Sequence, residues 1–254
     1  MNKAIIIETC EKSGMFSQAF DYKEFEKTIL LTVKNKNSAL RKTARLFEDR
    51  NIIVSNRHKE SKIFSEKLKP YNTLSHDAIF PVINKISRQA AEKFGQKLPL
   101  EEVFIIAQPL FACQLISFLH EISRLFTIVS PKETLVKMYD ELYFKNGTLI
   151  RQIPEIRNIS KGDSMIICCE RGVTCAEHKI PIIDLYDSQP YRENVLHITD
   201  ISICDDGISE MQRLWSGKSG ILLYNLLGII PSEHAQVDIN NTPDRIFLLD
   251  TTKV

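Results

Sequence analysis

The sequence predicts an α/β fold in two parts: a mixed N-terminal α/β domain over residues 1–98, and a mainly parallel sheet domain over residues 99–254. Three observations predict it. Short apolar runs alternate with amphipathic helical patterns through residues 101–190. The strand starts there lie about 22 residues apart, room for a helical crossover between parallel strands. Charge also divides near the same boundary. Residues 1–100 carry 19 Lys and Arg against 11 Asp and Glu, a balance of +8, whereas the remaining 154 carry 14 against 21, a balance of −7. Two domains with different surfaces would produce that asymmetry.

In the N-terminal part, residues 4–7 and 28–33 read as strands rich in Ile, Leu, Val and Thr. The irregularly spaced Phe16, Phe20, Tyr22 and Phe25 leave the segment between them unassigned. Asn37 or Ser38 caps a helix over 39–50 with Leu40, Ala44 and Phe47 on one face, and 52–54 reads as a short buried strand. A helix over 78–97 follows, with Ile79, Val82, Ile83, Ile86, Ala90 and Phe94 at three- and four-residue steps. Pro81 must lie in its first turn or kink it. This helix is the expected connector between the two parts.

The second part starts with a continuous apolar strand at 103–107. Pro109 then opens a helix to about 122 that is apolar on nearly all sides. A strand at 125–129 is followed by Ser130-Pro131-Lys132-Glu133, the pattern of a capping box with proline at the first helical position. The helix it opens turns Leu135, Met138, Tyr139 and Leu142 inward and ends near Gly147. Further strands are expected at 148–150, 165–168 and 182–185, one or two helices within 207–228 with Trp215 buried, and a strand pair at 235–239 and 245–249 around a turn. Right-handed crossovers make this half Rossmann-like, with helices on the sheet faces.

The chemical signals are sparse. In such a sheet, ligands bind beyond the carboxyl ends of the strands. A dinucleotide site needs glycines in the first turn so that backbone can approach a pyrophosphate. Here that turn reads Ala107-Gln108-Pro109-Leu110-Phe111-Ala112, without a glycine, and the second strand ends in Ser130 where an acid would hold ribose hydroxyls. The glycine-rich fingerprint is missing, and no cofactor is assigned. Gln108, Ser130 and Lys132 are the candidate ligand-binding residues of these turns. Trp215-Ser216-Gly217-Lys218-Ser219-Gly220 is similar to the end of a phosphate loop, but Gln212 stands where the pattern needs glycine.

The candidate catalytic residues are Cys169, Glu170 and Arg171. They follow a strand together with Gly172, where a thiol would be displayed and the guanidinium would lower its pKa. Cys169, Cys175 and His178 have a spacing seen among zinc ligands but no fourth ligand nearby, so no metal is assigned. Asp184, Asp187, Asp205 and Asp206 are ordinary acidic loop residues before they are cation ligands. Six cysteines without a secretion signal are expected to be reduced core thiols of a cytoplasmic protein. The uncharged stretch 103–119 is shorter than the ~20 residues of a membrane span and divides into strand and helix, so no membrane partner is expected.

Residues 34–69 hold eleven Lys and Arg against four acids, among them Arg41, Lys42, Arg45, Arg57 and Lys59 around His58. Such a surface attracts phosphates. Three functional classes are therefore expected, in this order. The first is a small-ligand-binding Rossmann-like protein or enzyme acting in an interdomain cleft, with a small anionic ligand. The second is a non-enzymatic regulatory or interaction module with a cofactor-free sheet. The third is a nucleic-acid or anionic-partner binder using the basic N-terminal region.

Overall fold

In a computed structural model of the chain, the described residues are 4–10, 20–24, 28–34, 37–47, 52–55, 68–70, 77–132, 135–156, 162–175, 178–186, 189–205, 220–241 and 246–250. The first sheet is built from β1 (Ala4–Cys10), β2 (Phe20–Glu24), β3 (Thr28–Lys34), β4 (Ile52–Ser55), β5 (Leu68–Pro70) and β14 (Ile246–Leu249), in the order β2-β3-β1-β4-β14-β5. Its centre, β3-β1-β4, is parallel, and the outer pairings are antiparallel. Helix α1 (Asn37–Leu46) turns Ala39 and Leu40 into a small core with Ile7, Leu31 and Val54, and leaves Arg41, Lys42 and Arg45 exposed. Arg57, His58 and Lys59 lie outside the described residues.

The second sheet contains β6 (Glu102–Ile106), β7 (Leu125–Val129), β8 (Leu149–Ile153), β9 (Ser164–Cys168), β10 (Ile182–Asp184) and β11 (Val195–His197). Its order is β11-β10-β9-β6-β7-β8 and every pairing is parallel. Counted from its first strand, that is the doubly wound order 3-2-1-4-5-6, with the reversal between β6 and β9. The α/β, Rossmann-like, mainly parallel reading of this half stands. Burial on both faces, of Val103, Ile105, Met165 and Ile167 on one and Phe104, Ile106, Ile166 and Cys168 on the other, explains why β6 and β9 read as continuous apolar runs rather than alternating ones. The uncharged stretch resolves into β6 and α3 (Pro109–Leu119), and among the described residues no helix is long and apolar enough to cross a membrane.

Several expectations are corrected. The helix expected over 78–97 is a 3-10 turn, Asp77–Ile79, followed by α2 (Ile83–Lys93). Pro81 separates them, because the residue before a proline is driven out of the α region. Nor does the capping box at Ser130 open a helix. The Ser130 hydroxyl accepts the Lys132 N–H at 3.3 Å in a local turn, and α4 (Val136–Asn146) starts from Leu135 without a side-chain cap. Its other end is as expected, with Gly147 at φ 65°, a left-handed value that favours glycine.

The expected 235–239 and 245–249 pair does not form. β13 (Gln236–Asp238) pairs with β12 (Ser202–Cys204), while β14 crosses to the first sheet. Helix α5 (Ile221–Leu227) occupies the end of the 207–228 region, and Trp215 lies outside the described residues.

Among the described residues, helices cover one face of the second sheet and not the other. Residues of α2, α3, α4 and α5 share one apolar core with Val103, Ile105, Phe126, Ile128, Met165 and Ile167, so they cover a single face. Opposite it, Phe104, Ile106, Val129, Ile166, Cys168 and Ile182 pack with Ile153, Val173, Cys175 and Ile180, which come from strand β8 and from loops. The connections after β8, β9 and β10 are too short to add a helix, and none is present among their described residues.

Helix α2 is fastened to the end of the chain by polar side chains. Gln89 donates to the Val237 carbonyl at 2.5 Å and accepts the Ile239 N–H at 3.2 Å, and Lys85 Nζ donates to the Glu233 and Ala235 carbonyls at 2.6 and 2.7 Å. Gln89→Ala would orphan a backbone donor and an acceptor, a loss of about 1–3 kcal/mol. Urea unfolding is expected to show a lowered midpoint with an unchanged slope; an unchanged midpoint would remove Gln89 from the docking of α2.

Candidate functional site

The last residue of each strand in the second sheet defines one register row: Ile153, Val129, Ile106, Cys168, Asp184 and His197, from β8 across to β11. Parallel pairing puts all six on the same face, the one without helices. The row is apolar through β6 and becomes Cys, Asp and His from β9 onward. Its chemistry changes where the strand order reverses.

Each group in the polar half is held by its neighbours. Asp184 is fully buried. One carboxylate oxygen accepts the Tyr186 N–H at 3.1 Å, and the other accepts the Gln189 N–H at 2.7 Å and lies 3.6 Å from His197 Nδ1. A buried carboxylate needs such donors to offset lost hydration. The Tyr191 ring lies parallel to the His197 ring at 6.5 Å and is itself exposed. Gln189 ties the turn after β9 to the turn after β10. Its Oε1 accepts the Cys175 N–H at 2.9 Å, and its Nε2 donates to the Val173 carbonyl and points at Cys168 Sγ from 4.0 Å.

The three nearby thiols differ. Cys169 is not displayed: its side chain turns into the helix-covered core, 6% exposed, and burial drives its pKa well above the ordinary thiol range. Strand alternation, which sends consecutive residues to opposite faces, is the reason. Cys168 lies on the other face, in the cluster that also holds Cys175, and its thiol donates to the Glu170 carbonyl at 3.4 Å. The hydrogen bond from Cys175 lowers the Cys168 pKa against the effect of burial, and the same bond raises that of Cys175. Glu170 is half-buried, and Arg171 is exposed with its guanidinium 5.3 Å from the Tyr186 ring centre. Gly172 at φ 76° makes the turn that brings Val173 and Cys175 back onto the sheet.

Cys169, Cys175 and His178 do not come together, because Cys169 and Cys175 lie on opposite faces. The carboxylates of Asp184 and Asp205 are occupied by loop donors, the latter by the Ser232 N–H at 2.6 Å and hydroxyl at 2.9 Å; Asp187 and Asp206 lie outside the described residues. Among the described residues, no group of three or more His, Cys, Asp or Glu could hold a metal ion.

On the apolar half of the row, Gln108 is exposed in extended conformation at the N-terminus of α3. Ser130 is buried, and Lys132 is exposed. The Gln152 amide donates to the carbonyls of Ser130 and Lys132 at 3.0 and 2.6 Å and accepts the Tyr139 hydroxyl at 2.7 Å. The turn where a ribose would be gripped is thus braced by the protein's own side chains. Sequence reasoning singled out Cys169, Glu170 and Arg171, but missed His197 and the return of Cys175 to the face of Cys168. Recognising β11 as a sixth strand would have brought His197 into the row.

Burial also pushes Cys113, on the inner face of α3, up to about 11 from an ordinary 9.0. A raised thiol pKa favours the protonated form in the fold, so that contribution is fully present below pH 9 and is lost as pH rises through 11. Urea unfolding is expected to show stability falling over that window, with a shallower fall in Cys113→Ala. Equal slopes would contradict this.

No protein-family model and no curated protein matches the chain. Among solved structures it is similar to L-tryptophan dehydrogenase from Nostoc punctiforme, at 10% identity and a TM-score of 0.32. The similarity covers 72% of this chain and 63% of that one, so this chain spans less than two thirds of that protein's length.

Proposed function

We propose that this chain is a small-ligand-binding Rossmann-like protein or enzyme. Its ligand sits beyond the carboxyl ends of β6 and β9, in a cleft between the two domains, and is small and anionic. One observation carries this reading: the terminal row of the sheet changes from apolar side chains to Cys168, Asp184 and His197 at the strand-order reversal, where doubly wound sheets take their ligands. Two features support the charge of the ligand. Arg171 is exposed on the turn after β9, and Gln108 is exposed at the N-terminus of α3. A guanidinium and a helix N-terminus both favour an anion.

Dinucleotides do not suit the site. Pro109 occupies the first helical position in a turn without glycine, and Gln152 braces the Ser130 turn. That bracing also favours the second reading, an interaction module with a cofactor-free sheet.

A thermal-shift screen separates the two, since a ligand binding only the native state raises its melting temperature. The panel holds carboxylates, sugar phosphates, mononucleotides and NAD(P). A small anion is expected to raise the melting temperature, NAD(P) is not, and Arg171→Ala should weaken that binding on the order of tenfold. Absence of any shift, or undiminished affinity in Arg171→Ala, would overturn the first reading in favour of the second.

A further inference from the structure

The four outer strands of the two large sheets are not equally protected. An open edge presents unpaired backbone donors and acceptors, and short length, proline or charged side chains blunt it. β5 and β11 are three residues long, β5 ends in Pro70, and β2 carries exposed Lys23 and Glu24. β8 lacks these protections. Its five residues, Leu149–Ile153, include no proline or lysine, and the charge of Arg151 is drawn inward by Glu102 at 2.7 Å. Among the described residues, β7 is its one hydrogen-bonded neighbour. The Leu149 N–H donates to the Arg124 carbonyl at 2.7 Å and the Ile153 carbonyl accepts the Ser130 N–H at 2.9 Å, so the backbone of the odd-numbered residues faces β7. Alternation then turns the N–H and C=O of Ile150 and Gln152 outward.

Apolar side chains surround that edge. Leu149 is 53% exposed and shares with Ile153 the face without helices. On the helix-covered face, the Tyr139 hydroxyl reaches Gln152 of β8, which marks the flank of α4 nearest the edge. Val136 and Tyr143, three residues before and four after Tyr139, share that flank and are 60% and 50% exposed. Phe144, 83% exposed, packs edge-on against the Tyr143 ring.

We propose that β8 pairs antiparallel with β8 of a second copy of this chain, giving one continuous sheet across a two-fold axis. Register selects the axis. Both members of a hydrogen-bonded pair must face outward, so the axis passes at Ile150, Arg151 or Gln152. At Arg151 it would set two arginines directly opposite each other, and at Gln152 it would set Pro154, which has no N–H, against Ile150. At Ile150 it sets Ile150 against its own copy and Leu149 against Arg151, whose aliphatic stem covers it. Antiparallel pairing also places the start of β8, next to exposed Lys145, beside the end of its copy, next to exposed Glu155. A parallel strand would not give that charge match. The two-fold keeps both α4 helices on one face of the joined sheet. A helix above the β7–β8 junction then lies two strand spacings, about 10 Å, from its copy, which is a helix-packing distance. Val136 and Tyr143 fill that gap. A second copy fits because this one surface supplies both halves of every contact. β8 is at the far end of the sheet from Asp184 and His197, so the inference stands or falls apart from the ligand reading.

The test is sedimentation equilibrium of the full-length chain, with residue-resolved hydrogen exchange on the same samples. Twice the chain mass is expected at micromolar concentration, with exchange of the Ile150 and Gln152 amides slowing as concentration rises through the dimer transition. Leu149→Lys sets a second cation against Arg151 of the other copy and should weaken dimerisation on the order of tenfold, whereas Leu149→Glu supplies a counter-charge and should keep the dimer. A monomer at those concentrations would overturn the proposal and leave the edge to a strand of another protein. So would a dimer in which the Ile150 and Gln152 amides stay unprotected, or one weakened equally by Leu149→Lys and Leu149→Glu. The wild-type mass and exchange decide the matter even if a variant fails to fold.

Discussion

The central strands β6 and β9 are parallel neighbours that must be covered on both faces, and this one requirement shapes everything packed around the second sheet. Residues of α2 to α5 satisfy it on one face through a single apolar core. On the other, the chain has only short connections, so Val173, Cys175 and Ile180 fold back onto Ile106, Ile166 and Cys168. A loop can cover apolar surface only if its own backbone groups find partners, since an orphaned buried amide or carbonyl costs as much as the burial gains. Gln189 supplies those partners for Val173 and Cys175. Cys175 joins the cluster of Cys168 as part of that covering task.

The same economy distinguishes the two ends of the sheet's carboxyl edge. Over β7 and β8, the Gln152 amide satisfies the carbonyls of Ser130 and Lys132 and is itself held by the Tyr139 hydroxyl, so the Ser130 turn is braced from within the protein. Over β9 and β10, the buried groups are satisfied below the surface, while Arg171 stands exposed above them. The proposed ligand site at this edge is therefore placed at the turn after β9. The first sheet lies apart from this asymmetry but is not isolated from it. Ile53 of β4 belongs to the large core with α2, and β14 returns from the end of the chain to pair with β4.

Much of this architecture is legible in the sequence. Val103 to Ile106 and Met165 to Cys168 are buried on both faces and therefore read as unbroken apolar runs, and Pro109 and Gly147 mark helix ends by their backbone restrictions alone. Elements whose identity depends on distant partners were not legible. β11 is three residues long, and its place in the sheet comes from pairing with β10. β14 looks like the partner of its sequence neighbour, yet its apolar residues are satisfied by β4 and β5. At Ser130 a perfect local cap signal loses to Gln152, a side chain 22 residues away. For the site, strand alternation at Cys168-Cys169 already divides the two thiols between faces. What the sequence does not reveal is that Cys175 returns to the face of Cys168, because Gln189 sets that contact through space.

Native-state hydrogen exchange tests the central claim most directly. If β6 and β9 form the doubly covered middle of one parallel sheet, the amides of Ile105, Ile106, Ile166 and Ile167 will exchange only through global unfolding and will be the slowest in the second sheet. Rapid exchange at β9 alongside slow exchange at β6 would contradict the account, because it would mean that the face without helices is open to water and that the turn bearing Cys175 does not cover it.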